Sequence, residues 1–123
     1  MDDEIKELID AYIEFEKSPQ GSDKREQLFW TFEKFDELSS ENPEVCWNAL
    51  LEILNRMPDD NIEGMMAAGI LEDFVENHGG DFINKIEEEA TKNISLKTLL
   101  GGVYECSTPK VWSRVMSVRG EEW

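Results

Sequence analysis

Along nearly the whole chain apolar residues return every three or four positions, in stretches bounded by residues that stop and start helices. That spacing lays a stripe down one side of a helix, whereas a half-buried strand would alternate. From Asp3 to Lys17 the stripe is Ile5, Leu8, Ile9, Tyr12 and Ile13, and Ser18-Pro19-Gln20-Gly21 breaks it. A second helix is expected from Asp23, which stands at capping-box spacing from Glu26, with Leu28, Phe29, Phe32 and Phe35 facing inward. Asn42 followed by Pro43 gives a third start, because proline at the first helical position lacks an N–H that would have no partner anyway. Trp47, Leu50, Leu51 and Leu54 form its core face, and Met57-Pro58-Asp59-Asp60 ends it.

A fourth helix, capped by Asp59 or Asp60, is expected to reach Asn77 and stop at His78-Gly79-Gly80. A glycine there can adopt the left-handed conformation found just past helix ends. A fifth helix presents Phe82, Ile83 and Ile86, and a sixth presents Leu96, Leu99, Leu100 and Val103. Thr108 caps a seventh, which Pro109 begins, with Val111, Trp112 and Val115 inward. Trp30, Trp47 and Trp112 fall in apolar patterns and are assigned to the core, while Trp123 belongs to no pattern. The fold class is therefore all-α, with about seven short helices in a single domain over residues 1–123. Helices of about 12–18 residues joined by short turns suit antiparallel pairs stacked as an α-solenoid of the HEAT type, with an irregular bundle as the alternative. The faint echo between Asn42-Pro43 before Trp47 and Thr108-Pro109 before Trp112 fixes no repeat period.

Charge narrows the function. The chain carries 28 acids against 12 bases, a net charge of −16. Residues 1–91 hold 25 of the acids and 7 of the bases. Such a surface repels nucleic acid and anionic membranes and draws basic proteins in at raised on-rates. No apolar run approaches the roughly 18 residues that span a bilayer. The acidic start, Met1-Asp2-Asp3-Glu4, lacks the basic and apolar regions of a secretory signal. Two cysteines, Cys46 and Cys106, are too few for a disulfide scaffold, and a reducing cytoplasm is the expected location.

Catalytic signatures are missing: the sequence contains no nucleophile elbow, phosphate-binding loop or glycine-rich nucleotide fingerprint. The chain is read as a non-enzyme with no cofactor. His78, the one histidine, stands near Asp73, Glu76 and Asp81 at no recognised metal-ligand spacing, so no metal is expected. More unusual is the vicinal acid pair Glu72-Asp73 on an apolar helix. At about 100° per residue Asp73 lies about 20° from Ile62, inside the apolar arc, with Glu72 at its edge. A charge facing a dry core must be paired, hydrogen-bonded or placed at a cleft mouth. Two readings follow: hydrogen bonds to the start of a neighbouring helix, or a groove that receives a partner's cation. Gly64 and Gly69 are expected to permit close approach in either case.

The stretch MMAAGILEDFVENHGGDFINKIEEEA, continuing to LLGGVYE and VWSRV, resembles an uncharacterised family of small acidic helical bacterial proteins. Its core pattern is GxLEDxxxxHGxxFIxxIE, matched by Gly69, Leu71, Glu72, Asp73, His78, Gly79, Phe82, Ile83, Ile86 and Glu87. The resemblance spans residues 42–118 at most and implies that Glu72, Asp73 and His78 form a set. It implies no activity. In size, acidity and lack of catalytic machinery the chain is also similar in type to the immunity proteins that neutralise bacterial toxins.

The expected function is accordingly a protein-binding inhibitor, free as a monomer, that occludes the active site of a basic, nucleic-acid-cleaving toxin used in bacterial competition. Contact is expected through Asp59, Asp60, Glu63, Glu72, Asp73 and Glu76, with His78, Glu87 and Glu88 beside them. The alternatives are a nucleic-acid mimic that occupies a DNA- or RNA-binding protein, and an α-solenoid adaptor that holds a peptide in its groove.

Overall fold

The computed structural model describes residues 2–56 and 67–122. In chain order the helices are α1 (Asp3–Lys17), α2 (Asp23–Leu28), α3 (Trp30–Glu41), α4 (Pro43–Arg56), α5 (Ala67–Lys92), α6 (Ile94–Leu100) and α7 (Pro109–Val118). No strand occurs among the described residues, and the fold is all-α. The chain divides into two compact units, Met1–Met57 and Pro58–Trp123. Asp59, Asp60, Ile62, Glu63, Gly64 and Trp123 lie outside the described residues.

In the first unit α1 packs against α2, α3 and α4, and α3 against α4. Asn42 caps α4 as expected, while Asp2 caps α1 with no such expectation from the sequence. Asp2 accepts the Glu4 N–H at 2.8 Å, and the Asn42 side chain accepts the Val45 N–H just before Pro43. At α2 the cap is Ser22, not Asp23: its hydroxyl accepts the Arg25 N–H at 3.2 Å from an extended backbone. Asp23 and Glu26 lie in the first turn, where carboxylates meet the positive end of the helix dipole.

The core of this unit is Ile9, Tyr12 and Phe15 of α1 with Phe35 of α3 and Ala49, Leu50 and Ile53 of α4. The Tyr12 ring meets Phe15 and Phe35 edge-on, at 5.8 and 5.3 Å between centroids. Its hydroxyl donates to Glu16 at 2.8 Å, and burial followed by the Glu16 charge pushes its pKa well up. Arg25 is the buried cation. It donates to the Phe15 and Ser18 carbonyls at 2.9 and 3.0 Å and lies 4.2 Å above the Phe15 ring. A guanidinium at that position satisfies carbonyls that the end of α1 leaves over.

The single helix expected from Asp23 is broken at Phe29. The Phe29 N–H donates to Glu26 and the Phe32 N–H to Phe29, both three residues back, the tighter 3₁₀ pattern. The break turns Phe29 and Trp30 outward, 41% and 48% exposed, so Trp30 is not the core residue its apolar neighbours suggest. Trp47 and Trp112 are buried as expected.

In the second unit α5 runs as one 26-residue helix straight through His78-Gly79-Gly80, packed by α6 and α7. The expected stop there does not occur, and neither glycine has a positive φ. Gly79 is instead a point of contact. A Cβ at that position would come 2.8 Å from a Val111 methyl and 3.3 Å from the Ser107 hydroxyl. Helical glycine costs about 1 kcal/mol, which packing along the rest of α5 offsets. The helices are therefore unequal, α2 and α6 having 6 and 7 residues beside the 26 of α5. Leu71, Phe74, Val75, Phe82, Ile83 and Ile86 line the buried side, against Leu96, Leu99, Val111 and Val115. Asn93 caps α6 by accepting the Leu96 N–H, and Thr108 caps α7 by accepting the Val111 N–H. After α7 the chain returns to α6, where the Gly120 N–H donates to the Lys97 carbonyl at 2.8 Å.

The two adjacent glycines should respond in opposite directions. Nothing lies within 4 Å of a Cβ built on Gly80, so Gly80→Ala should raise stability by about 0.5–1 kcal/mol. Gly79→Ala should lower it by about 1–2 kcal/mol as Val111 is displaced. Urea unfolding followed by circular dichroism measures both, and stabilisation by Gly79→Ala would refute the close contact with α7.

Candidate functional site

The candidate surface begins on α5. Its core side is fixed by Leu71, Phe74 and Val75, and this phase places Asp73 on the exposed side and leaves Glu72 half-buried. The expectation that Asp73 lies in the apolar arc is thus corrected. The arc was phased on Ile62, outside the described residues, whereas the buried stripe of α5 passes through Leu71 and Phe74.

Glu72 and Glu76 stand one turn apart and reach the same target. One Glu72 carboxylate oxygen accepts the Tyr104 N–H at 3.0 Å, and one Glu76 oxygen accepts the Ser107 N–H at 2.5 Å. The Cys106 thiol donates to the Glu72 carbonyl at 3.8 Å. Together these contacts tie α5 to the connection between α6 and α7, in which Ser107 has a φ of 65°. A carboxylate serving amides just before a helix start is the structural alternative raised by the sequence, with Glu72 and Glu76 in the part expected of Asp73.

Cys106 lies inside this acidic fold of chain. Burial, followed by the charges of Glu76, Glu72 and Asp73, pushes its thiol up to about 11. At neutral pH it is protonated and a poor nucleophile. His78 is half-buried between the Phe74 and Phe82 rings, at 5.2 and 6.3 Å. Glu87 faces Arg114 of α7 in a two-pronged ion pair, one bond measuring 2.9 Å, and Arg114 also donates to Asn84. Hydrogen bonding to Arg114 holds the Glu87 carboxyl below the usual carboxylate range. Glu88 is exposed. Of the expected contact residues, Glu72, Asp73 and Glu76 gather beside the connection between α6 and α7, Glu87 is neutralised by Arg114, and Glu88 faces solvent.

Acidic faces also lie where the sequence reading placed no contact. On α1, Asp3, Glu7, Asp10 and Glu14 follow one another at three- and four-residue steps, all exposed. Arg56 meets Asp10 at 2.5 Å and Lys24 meets Glu14 at 3.0 Å. On α3, Glu33, Asp36, Glu37 and Glu41 are exposed, with Lys34 3.5 Å from Glu37. The helical spacing of these acids is readable in the sequence, while their exposure depends on which face of each helix the core takes. Among the described residues no group of three or more His, Cys, Asp or Glu side chains could hold a metal ion, and no helix is long and apolar enough to cross a membrane.

The model of a family of unknown function, DUF6869, matches residues 18–123, reaching further toward the N-terminus than the resemblance read from residue 42. No curated protein and no solved structure matches the chain significantly.

Two measurements test this geometry. Glu72→Ala/Glu76→Ala should cost about 1–2 kcal/mol of stability, because two backbone N–H groups lose charged acceptors. Glu88→Ala on the same helix should change stability by less than about 0.5 kcal/mol. Equal losses in urea titrations would remove the carboxylates' structural role. Glu87, whose folded pKa is depressed, contributes stability that is present above its unfolded pKa and lost as pH falls through the folded value. Glu87→Gln should therefore flatten the acid limb of a stability-versus-pH curve, and an unchanged limb would refute the pairing.

Proposed function

The chain belongs to DUF6869, a family of unknown function, over residues 18–123, and from its charge and surface we propose that it is an acidic protein-binding inhibitor of a basic partner. In its most concrete form it is a bacterial immunity protein that covers the active site of a nucleic-acid-cleaving toxin and excludes the substrate by occlusion and like charge. The observation that carries this reading is the surplus of exposed carboxylates on helix faces in both units, at a net charge of −16. Fields of that sign raise the encounter rate with basic proteins, and carboxylates opposite lysine and arginine form charge-assisted hydrogen bonds. A nuclease that grips phosphates offers the complementary surface. On α5, Asp73 and Glu88 are the carboxylates offered to the partner, with the second oxygens of Glu72 and Glu76 beside them.

The test begins with the product of the gene immediately upstream. Its activity should be blocked by this chain at equal stoichiometry, and the dissociation constant should weaken by about tenfold or more between low and physiological salt. Activity that persists in the complex, or an affinity indifferent to salt, would defeat the proposal.

A further inference from the structure

In the first unit a recess of about 270 Å³ lies between α1 and α3. Ile5, Leu8 and Leu38 make its apolar floor, and Trp30 stands at its side with 48% of its surface exposed. Glu4, Glu7, Glu37 and Glu41 surround it, and its one lining cation, Lys34, is held 3.5 Å from Glu37. A second recess of about 440 Å³ shares Ile5 and Leu38 and continues past Val45 of α4 toward Asp2. Both recesses use Ile5 and Leu38 in their walls, and the first is a groove with an aromatic wall, an aliphatic floor and acidic margins.

Each part selects against some occupants. The margin excludes anions and any phosphate-bearing ligand. A wholly apolar occupant would cover Glu4, Glu7 and Glu41 and offer them no partner, which is costly. A second copy of the chain, itself at −16, brings the wrong sign. An arginine side chain meets all three surfaces: its guanidinium can lie over an indole face, its methylenes can cover aliphatic residues, and its N–H groups can reach carboxylates. The second recess, on the same Ile5 and Leu38, offers room for residues that flank the arginine, which fits a segment in which basic and apolar residues alternate.

We infer that this groove docks a basic segment of a partner protein, with an arginine laid over Trp30 between Glu4 and Glu41. The inference rests on the reading of a basic partner and adds a contact on α1 and α3 to the one proposed on α5. Arginine is the key residue, apolar neighbours fill the floor, and the carboxylates set the sign.

The experiment uses the full chain and a synthetic peptide of alternating arginine and leucine, with a glutamine-for-arginine peptide as control. In nitrogen-15 NMR titrations at low salt, the Trp30 indole resonance, assigned with Trp30→Phe, should shift saturably with the arginine peptide and not with the control. Trp30→Ala and Glu4→Gln/Glu41→Gln should each weaken binding by about tenfold, while Asp81→Asn/Glu105→Gln, an equal change of charge at exposed positions of the second unit, should change it by less than about twofold. Should Trp30→Ala fail to fold by circular dichroism, the glutamate variant, altered at exposed positions, decides the matter. Binding that survives the groove variants would overturn the groove and leave the inhibitor reading standing. Equal binding of the control peptide would overturn the cationic occupant. No binding of the arginine peptide by any form would overturn the groove, and the proposed inhibitor falls separately if the upstream product is not blocked.

Discussion

A segment that carries Val103 into a core and begins a new helix at Pro109 has amides between those points with no partner in a helix of their own, and its path is fixed by whatever accepts from them. Glu72 and Glu76 supply those acceptors from α5, one turn apart, to Tyr104 and Ser107. Much of the second unit depends on that constraint. It sets where α7 starts, and with α7 come Val111 against Gly79 and Arg114 against Glu87. It also gives two acids of α5 a task within the unit: half-buried Glu72 and exposed Glu76 hold the connection.

Capping chemistry made the fold legible. Asn42-Pro43 and Thr108-Pro109 mark their helices because each pairs a side-chain acceptor with a residue that has no N–H to lose. The core stripe of α1 and the Leu96–Leu99–Leu100 face of α6 followed directly from spacing. The errors arose where one residue type serves two purposes. Glycine after histidine can end a helix or admit a neighbouring one, and Gly79 does the second because Val111 arrives from about thirty residues away. Trp30 continues an apolar pattern, yet a tight turn at Phe29 rotates it outward. The phase of α5 could not be read from Ile62, because the core it faces comes from α6 and α7. Of the candidate surface, the identity of the acids was visible, but the division into carboxylates that hold the chain together and carboxylates that face water was not. That division is set by Tyr104 and Ser107, more than thirty positions away in sequence from Glu72 and Glu76 respectively, to within one residue.

The excess of acids has a bearing on how the surface works. With 28 carboxylates and 12 cations, pairing every cation would still leave 16 carboxylates to water or to a partner. Several cations are already committed: Arg25 to backbone carbonyls, Arg56 to Asp10 and Glu52, and Arg114 to Glu87. The surface field is therefore a property of the sequence, and local geometry decides where that field meets apolar area. On α5 the acids border a polar connection. Between α1 and α3 they border Trp30 and an aliphatic floor, a combination that can hold a ligand by contact as well as by attraction.

One cysteine falls in each compact unit, Cys46 in the first and Cys106 in the second. Burial raises Cys46 to about 12, and burial with the neighbouring acids raises Cys106 to about 11. Cys46 is fully buried and meets water only when the first unit opens, whereas half-buried Cys106 is accessible in part while the second unit stays closed, and opening returns each to the ordinary range of an accessible cysteine. Alkylation of Cys46 thus becomes a clock for the opening of its own unit, with Cys106 open to reaction from the closed state as well.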